Sequence, residues 1–267
     1  MLLKKIIPCL VVTFLVACGD DGGNSTSPSE STSSSDNLTI PKGWDWNVPK
    51  EARLNPEITY GTMTDERDGK VYKTIKIGDQ TWMAENLNYA DSAKTPSLLK
   101  RSWCYDGVAK NCDVAGRLYT WSAAIDSVKL ANDADNPLDC GSDKTCTLPA
   151  KVQGICPTGW HLPTSTEWET LFTTVGIPAA AGQDLKSQTG WNNNGNGTDI
   201  FGFSALPTGG AVNYRYFYDV GYDAYFWSAT EGGSDGAYRM NVHCDYNLVS
   251  LQDCFKSNGI AVRCLKD

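Results

Sequence analysis

The sequence predicts an α+β domain. Three observations carry that expectation: a pair of alternating, β-branched runs, two segments with helix signals, and then short apolar runs punctuated by Gly, Asn and Asp. Strands are thus grouped apart from helices, unlike the strict alternation that builds a parallel sheet. The chain has 267 residues, 41% of them apolar, enough for one sizeable core and a tail.

The chain opens with Lys4 and Lys5 ahead of the apolar run IIPCLVVTFLVA (6–17), which is too short to cross a bilayer. The run ends in LVAC, which resembles a bacterial lipobox. Residues 1–17 are therefore expected to be a lipoprotein signal peptide and Cys18 the lipidated residue. Gly19 follows, so the Asp that retains enteric lipoproteins at the inner membrane is absent, and Asp20–Asp21 resembles a surface-export tag. The expected location is the outer membrane, with the lipid as the membrane contact and both the periplasmic and the surface-exposed orientation open. Residues 18–40 are a Ser/Gly/Asp-rich tether with little to bury. Residues 41–59 form a connecting segment, and 60–267 the folded domain.

VYKTIKI (71–77), the turn GDQ and TWMAENL (81–87) predict a hairpin. GRLYTWSAAIDSV (116–128) places Leu118, Trp121, Ile125 and Val128 on one face, which predicts a first helix. Residues 129–155 read as an insertion loop. Thr164-Ser-Thr-Glu167 is a capping box, Trp168, Leu171, Phe172 and Val175 follow at helical spacing, and Gly176 and Pro178 stop the pattern. A second helix is predicted over 165–175. FGFSALP (201–207), AYFWSAT (224–230), AYRMNV (237–242) and GIAVRCL (259–265) are the predicted short strands.

Of ten cysteines, Cys9 lies in the expected signal peptide and Cys18 at the lipid, which leaves eight from Cys104 to Cys264. An even number in an exported chain implies disulfides, and no C-x-x-C pair speaks for zinc. Loop closure favours Cys104–Cys112, Cys140–Cys146 and Cys244–Cys254, which leaves Cys156–Cys264. The formal net charge is −8, with no basic run beyond Lys4–Lys5, so a nucleic-acid partner is excluded.

No catalytic residue is predicted. His161, in CPTGWHLPTSTEW (156–168), lacks any G-x-S-x-G, H-E-x-x-H or paired-carboxylate companion and reads as filling a polar niche at the helix start. Glu167 is explained by its place in the capping box, and His243 has no stronger case. WNNNGNGTD (191–199) lacks the lysine of a phosphate loop. Asn194 and Asp199 are its candidate Ca²⁺ ligands, but one carboxylate complements the ion thinly and a solvated turn is favoured. No other cofactor is expected. Rings between Trp191 and Trp227 suit either sugar stacking or the core. The candidate ligand surface comprises Trp191, Tyr216 and Tyr222 as platforms, with Asn193, Asn194 and Asp199 as polar partners.

The motifs DGKVYKTIKIGDQTWMAENLNYA, GRLYTWSAA, CPTGWHLPTSTEWETL, LKSQTGW, GTDIFGFSALPTG, YFWSATE and AVRCLKD occur in one order. In that order they resemble the Fibrobacter succinogenes major paralogous domain over about Thr64–Asp267. The resemblance implies an exported or lipid-anchored bacterial protein and brings no catalytic residues with it. More distantly, two helices followed by strands and AVRCLKD resemble the C-type-lectin-like fold and the formylglycine-generating enzymes built on it. That likeness implies short antiparallel strands, long loops and disulfide staples. The expected function is non-catalytic binding or adhesion to polysaccharide or to surface proteins. A formylglycine-generating enzyme and a structural envelope component are the alternatives.

Overall fold

The computed structural model describes residues 43–213 and 215–267, all within the compact unit Pro41–Asp267. The expected signal peptide 1–17, Cys18, the tether 18–40 and Tyr214 lie outside the described residues. Strands β1 (Gly61–Thr64), β2 (Val71–Ile77) and β3 (Gln80–Met83) open the domain. After them come β4 (Ser102–Trp103), helix α1 (Ala109–Ala115), β5 (Leu118–Tyr119) and helices α2 (Trp121–Ala124) and α3 (Ser127–Ala131). The middle holds β6 (Trp160–His161), α4 (Ser165–Val175) and α5 (Pro178–Leu185). The chain closes with β7 (Thr208–Val212), β8 (Tyr216–Val220), β9 (Asp223–Glu231), β10 (Gly236–His243), β11 (Val249–Phe255) and β12 (Leu265–Lys266). Among the described residues, mixed helix and antiparallel sheet with three disulfides confirm an α+β domain, with five short helices where two were expected.

The main sheet has the order β1-β2-β3-β12-β6, so the last strand lies between the opening hairpin and β6. Leu265 pairs with Trp82 on one side and His161 on the other. The Cys156–Cys264 bridge fastens this closure across a sequence separation of 108. In the chain-entropy picture a loop of that length is worth roughly 4–5 kcal/mol. Cys104–Cys112 and Cys140–Cys146 are also bridged.

Helix α4 occupies 165–175 as its signals require. Thr164 Oγ1 accepts from the Glu167 amide at 3.3 Å, and Glu167 Oε2 accepts from the Thr164 amide at 2.8 Å. Its apolar stripe is buried, with Trp168 lying 4.6 Å from Trp82 between ring centroids and against Phe203 and Phe226.

Four expectations are corrected. The helix over 116–128 is broken into β5, α2 and α3. Leu118 and Tyr119 are used in pairing with β4, and Asp126 takes a left-handed conformation (φ 54°). Aspartate tolerates that region, and its carboxylate accepts from the Ser97 hydroxyl at 2.6 Å. FGFSALP is no strand beyond one bridge from Ala205 to Lys186, because the Phe203 and Ser204 carbonyls serve Arg263 instead of a ladder. GIAVRCL is strand only at Leu265, with isolated bridges at Gly259, Ile260 and Ala261. Cys244 and Cys254 are not bridged. The β10–β11 register sets Cys254 opposite Ala237, whereas Cys244 follows the far end of β10. That places them roughly 20 Å apart at strand rise, well beyond disulfide reach.

Residues 43–59 pack onto the domain. Arg53 is buried beneath the Trp44 ring at 4.0 Å, and Asn55 Nδ2 donates to the Asp199 carbonyl at 2.9 Å.

The connection beneath the core is Arg263. Its guanidinium, fully buried, donates to Asn86 Oδ1 at 2.8 Å and to the carbonyls of Met83 (3.3 Å), Phe203 and Ser204 (2.8 Å). It also lies over the rings of Phe203 and Phe226 at 4.7 and 5.3 Å.

Helix α4 yields a stability prediction. Thr164→Ala costs about 1 kcal/mol as a lost cap, and Trp168→Ala roughly 3–5 kcal/mol as a core cavity. Urea unfolding of both variants measures this, and a neutral Trp168→Ala contradicts the packing described.

Candidate functional site

Three of the places where the described residues gather polar side chains bear on function. At the first, β6 delivers His161 beside the α4 cap. Nδ1 lies 2.7 Å from Asp267 Oδ1 and Nε2 lies 2.9 Å from Glu167 Oε1, and the ring is buried. Both ring nitrogens face carboxylates, which only an imidazolium satisfies fully. Burial alone would lower its pKa, but the bonds and charge from Glu167 and then Asp267 outweigh that and raise it. Both carboxylates are lowered in turn: burial opposes this, and the bond to His161 prevails. With Cys156 bridged and Trp160 and Trp168 buried, CPTGWHLPTSTEW pins a helix to a sheet.

At the second place, loop 191–194 meets Tyr222 and the turn after β10. The Asn192 amide donates to the Gly221 carbonyl at 2.8 Å, and the Cys244 amide to that of Tyr222 at 2.7 Å. Asn193 Nδ2 donates to Asp245 Oδ1 at 3.2 Å. Lys186, buried, holds the turn by donating to the carbonyls of Cys244 and Tyr246, both at 3.2 Å, and of His243 at 3.5 Å. Burial, then Asp245, pushes the Cys244 thiol up to about 12, so at neutral pH it is protonated and no nucleophile.

The predicted ligand surface is only partly assembled. Asn193 and Tyr222 come together here, both exposed. Trp191 does not join them: it is 0% exposed, its indole N–H donates to Ser187 Oγ at 3.1 Å, and Lys186 lies over its ring. Asp199 is likewise buried, its two oxygens accepting from the Ser204 amide (2.7 Å) and hydroxyl (2.6 Å). Burial raises it to about 7, while Ser204 and Arg263 hold it down. Asn194 is exposed, so the suggested Ca²⁺ pair of Asn194 and Asp199 divides between surface and core. Tyr216 is 63% exposed but begins β8, at the other end of that strand from Tyr222, roughly 15–20 Å away at strand rise.

The third place was not foreseen. A cleft of about 460 Å³ is lined by Lys100, Arg101, Lys144, Trp103, Ser122 and Ser127. One wall is the 139–144 loop, braced by Cys140–Cys146 and by Lys256, whose ammonium is buried and donates to the Lys144 carbonyl at 2.7 Å and to Glu231 Oε1 at 2.5 Å. The lining holds three lysine or arginine residues and one carboxylate, Asp139, which is ion-paired to Lys144 at 2.5 Å, so the cleft is locally basic on an acidic chain. Lys100, Arg101 and Trp103 are close in sequence, but Ser122, Ser127 and Lys144 join them only through the fold, so no single motif shows the cleft. Among the described residues no helix is long and apolar enough to cross a membrane.

The family model of the Fibrobacter succinogenes major domain matches residues 75–266. No curated protein and no solved structure matches.

Two predictions follow from these positions. His161 has a raised folded pKa, so its contribution is complete below about pH 6.5 and is lost as pH rises through the folded value. Glu167 and Asp267 have lowered values, so theirs is present above about pH 4 and is lost as pH falls through them. The melting gap between wild type and His161→Gln is therefore widest near pH 5–6 and narrows above neutrality; a gap that widens with pH contradicts the assignment. Trp191→Ala costs roughly 3–5 kcal/mol in urea unfolding, whereas Tyr222→Ala stays within about 0.5 kcal/mol.

Proposed function

We propose that this chain, which belongs to the Fibrobacter succinogenes major domain family, is an exported, lipid-anchored, non-catalytic binding domain for acidic polysaccharide. The cleft between Trp103 and the 139–144 loop carries the reading. An aromatic ring suits the apolar face of a sugar. The hydroxyls of Ser122 and Ser127 suit its alcohols, and Lys100, Arg101 and Lys144 suit carboxylate or sulfate groups. The walls are fixed before any ligand arrives, which limits the entropy lost on binding. A C-type-lectin-like arrangement agrees with β12 closing the opening hairpin's sheet and with the Cys156–Cys264 staple. The formylglycine-generating alternative gains no support from Cys244 and Cys254, which stand at opposite ends of their hairpin. Cys18 supplies the anchor at the outer membrane, and the acidic chain around a basic cleft gives binding that salt weakens.

The test is retention on immobilised polygalacturonate against a neutral glucan. The wild type binds the polyuronate with micromolar to millimolar affinity, about −4 to −8 kcal/mol. Retention falls as salt rises, and Lys100→Ala with Lys144→Ala weakens it tenfold or more at unchanged melting temperature. Equal retention on both matrices, or loss in Tyr222→Ala but not in the lysine variants, overturns the cleft as the site. Labelled palmitate enters the wild type and not Cys18→Ser; equal labelling overturns the anchor.

A further inference from the structure

We propose that the turn after β10 is a zinc site, with His243 Nδ1, Cys244 Sγ and an Asp245 carboxylate oxygen as protein ligands. The donor atoms of these three residues all lie within 4.8 Å of one another. Nδ1 is 3.8 Å from Sγ and 3.9 Å from Asp245 Oδ2. In a tetrahedral zinc site with ordinary bond lengths the donors are roughly 3.4–3.6 Å apart, so binding draws the three together and displaces the Asp245 amide, which donates to Nδ1 at 3.1 Å, from that nitrogen.

Consecutive residues rarely converge, because neighbours in a strand point to opposite faces. Here the chain leaves the ladder at His243 and turns, and that constraint lifts. The turn is held from beneath by Lys186, through the carbonyls of His243, Cys244 and Tyr246. Its conformation therefore does not depend on the metal.

Two surrounding groups fit a metal-bound imidazole. Asp223, buried, has Oδ2 3.8 Å from Nε2 of His243, on the side away from Nδ1, and its Oδ1 is fixed by Asn241 at 2.9 Å. A carboxylate behind the second ring nitrogen is what orients a ligating histidine and settles its tautomer. Asn193 Nδ2 donates to both Cys244 Sγ (3.8 Å) and Asp245 Oδ1 (3.2 Å), which fixes those two ligands, and the fourth position falls to water. A nitrogen, a sulfur and a carboxylate oxygen match the borderline-soft character of zinc and not the all-oxygen preference of calcium.

Binding replaces the S–H bond of Cys244 by S–Zn and releases that proton to solvent; no oxidant or reductant takes part. Thiolate and carboxylate together balance the ion's two charges. The site shares no residue with the cleft and does not depend on the polysaccharide reading.

The experiment uses the untagged, disulfide-intact protein with Zn²⁺ alone by calorimetry, and with Co²⁺ as a spectroscopic probe. One ion binds per chain, and Co²⁺ produces a near-ultraviolet thiolate-to-metal charge-transfer band. That band is absent in Cys244→Ser and retained in Cys254→Ser. The half-exposed His243→Ala and exposed Asp245→Asn each weaken Zn²⁺ binding tenfold or more. Asp223→Asn, a positioning residue, weakens it 10–100-fold at unchanged stoichiometry. No uptake at millimolar Zn²⁺, or uptake and band that persist in Cys244→Ser, overturns the proposal. Should Cys244→Ser fail to fold, the wild-type band and its loss in His243→Ala decide the matter.

Discussion

The constraint on which the rest of this domain depends is a buried cation with nowhere to go but the backbone. Arg263 arrives in an apolar run, GIAVRCL, one residue before the cysteine that staples the sheet closed. Its guanidinium gathers the end of β3 at Met83, the following Asn86, and the loop at Phe203 and Ser204. Burial pushes its pKa down to about 9, with Asp199 and Glu85 holding it up, so it stays charged at neutral pH. Five fixed N–H donors let one side chain satisfy several acceptors in one plane, which a lysine could not reproduce. Three distant segments are thereby fixed relative to one another before the disulfides add their share.

The same device recurs twice. Lys186 collects the carbonyls of the β10–β11 turn, and Lys256 collects those of Lys144 and Ser234 beneath the cleft wall. Each ammonium also lies near a buried tryptophan ring, Trp191 and Trp121 respectively. A domain with long irregular segments leaves many carbonyls outside ladders and helices, and a buried carbonyl without a donor is costly. Cationic side chains serve here as internal caps for loops. The two surfaces read as functional are both held in this way, which is how irregular chain becomes rigid enough to present a ligand site.

Local rules made some of this legible in the sequence. The α4 helix, its capping box and its buried stripe follow from residues within one turn of each other, and Cys104–Cys112 and Cys140–Cys146 from short loops. Cys156–Cys264 followed only by exclusion. What could not be read was register and long-range capture. Cys244 and Cys254 look adjacent until the hairpin register separates them. FGFSALP has strand composition, but Arg263 takes its carbonyls. Trp191 and Asp199 sit in a glycine- and asparagine-rich stretch that looks exposed, yet both point inward. One local signal does mark a buried cation: Arg263 is the lone charge in the apolar run GIAVRCL, whereas Lys186 lies in the polar DLKSQ and has no such mark. The cleft needed the fold itself, because its residues come from β4 and the chain before it, from α2 and α3, and from the 139–144 loop.

The most direct measurement of this account is the unfolding free energy of Arg263→Met by urea titration. Methionine keeps the apolar contact with Phe203 and Phe226 while removing every donor to the Met83, Phe203 and Ser204 carbonyls. Three orphaned acceptors at about 1–3 kcal/mol each predict a loss of at least roughly 3 kcal/mol. A variant as stable as the wild type would contradict the claim that buried cations organise the loops of this domain.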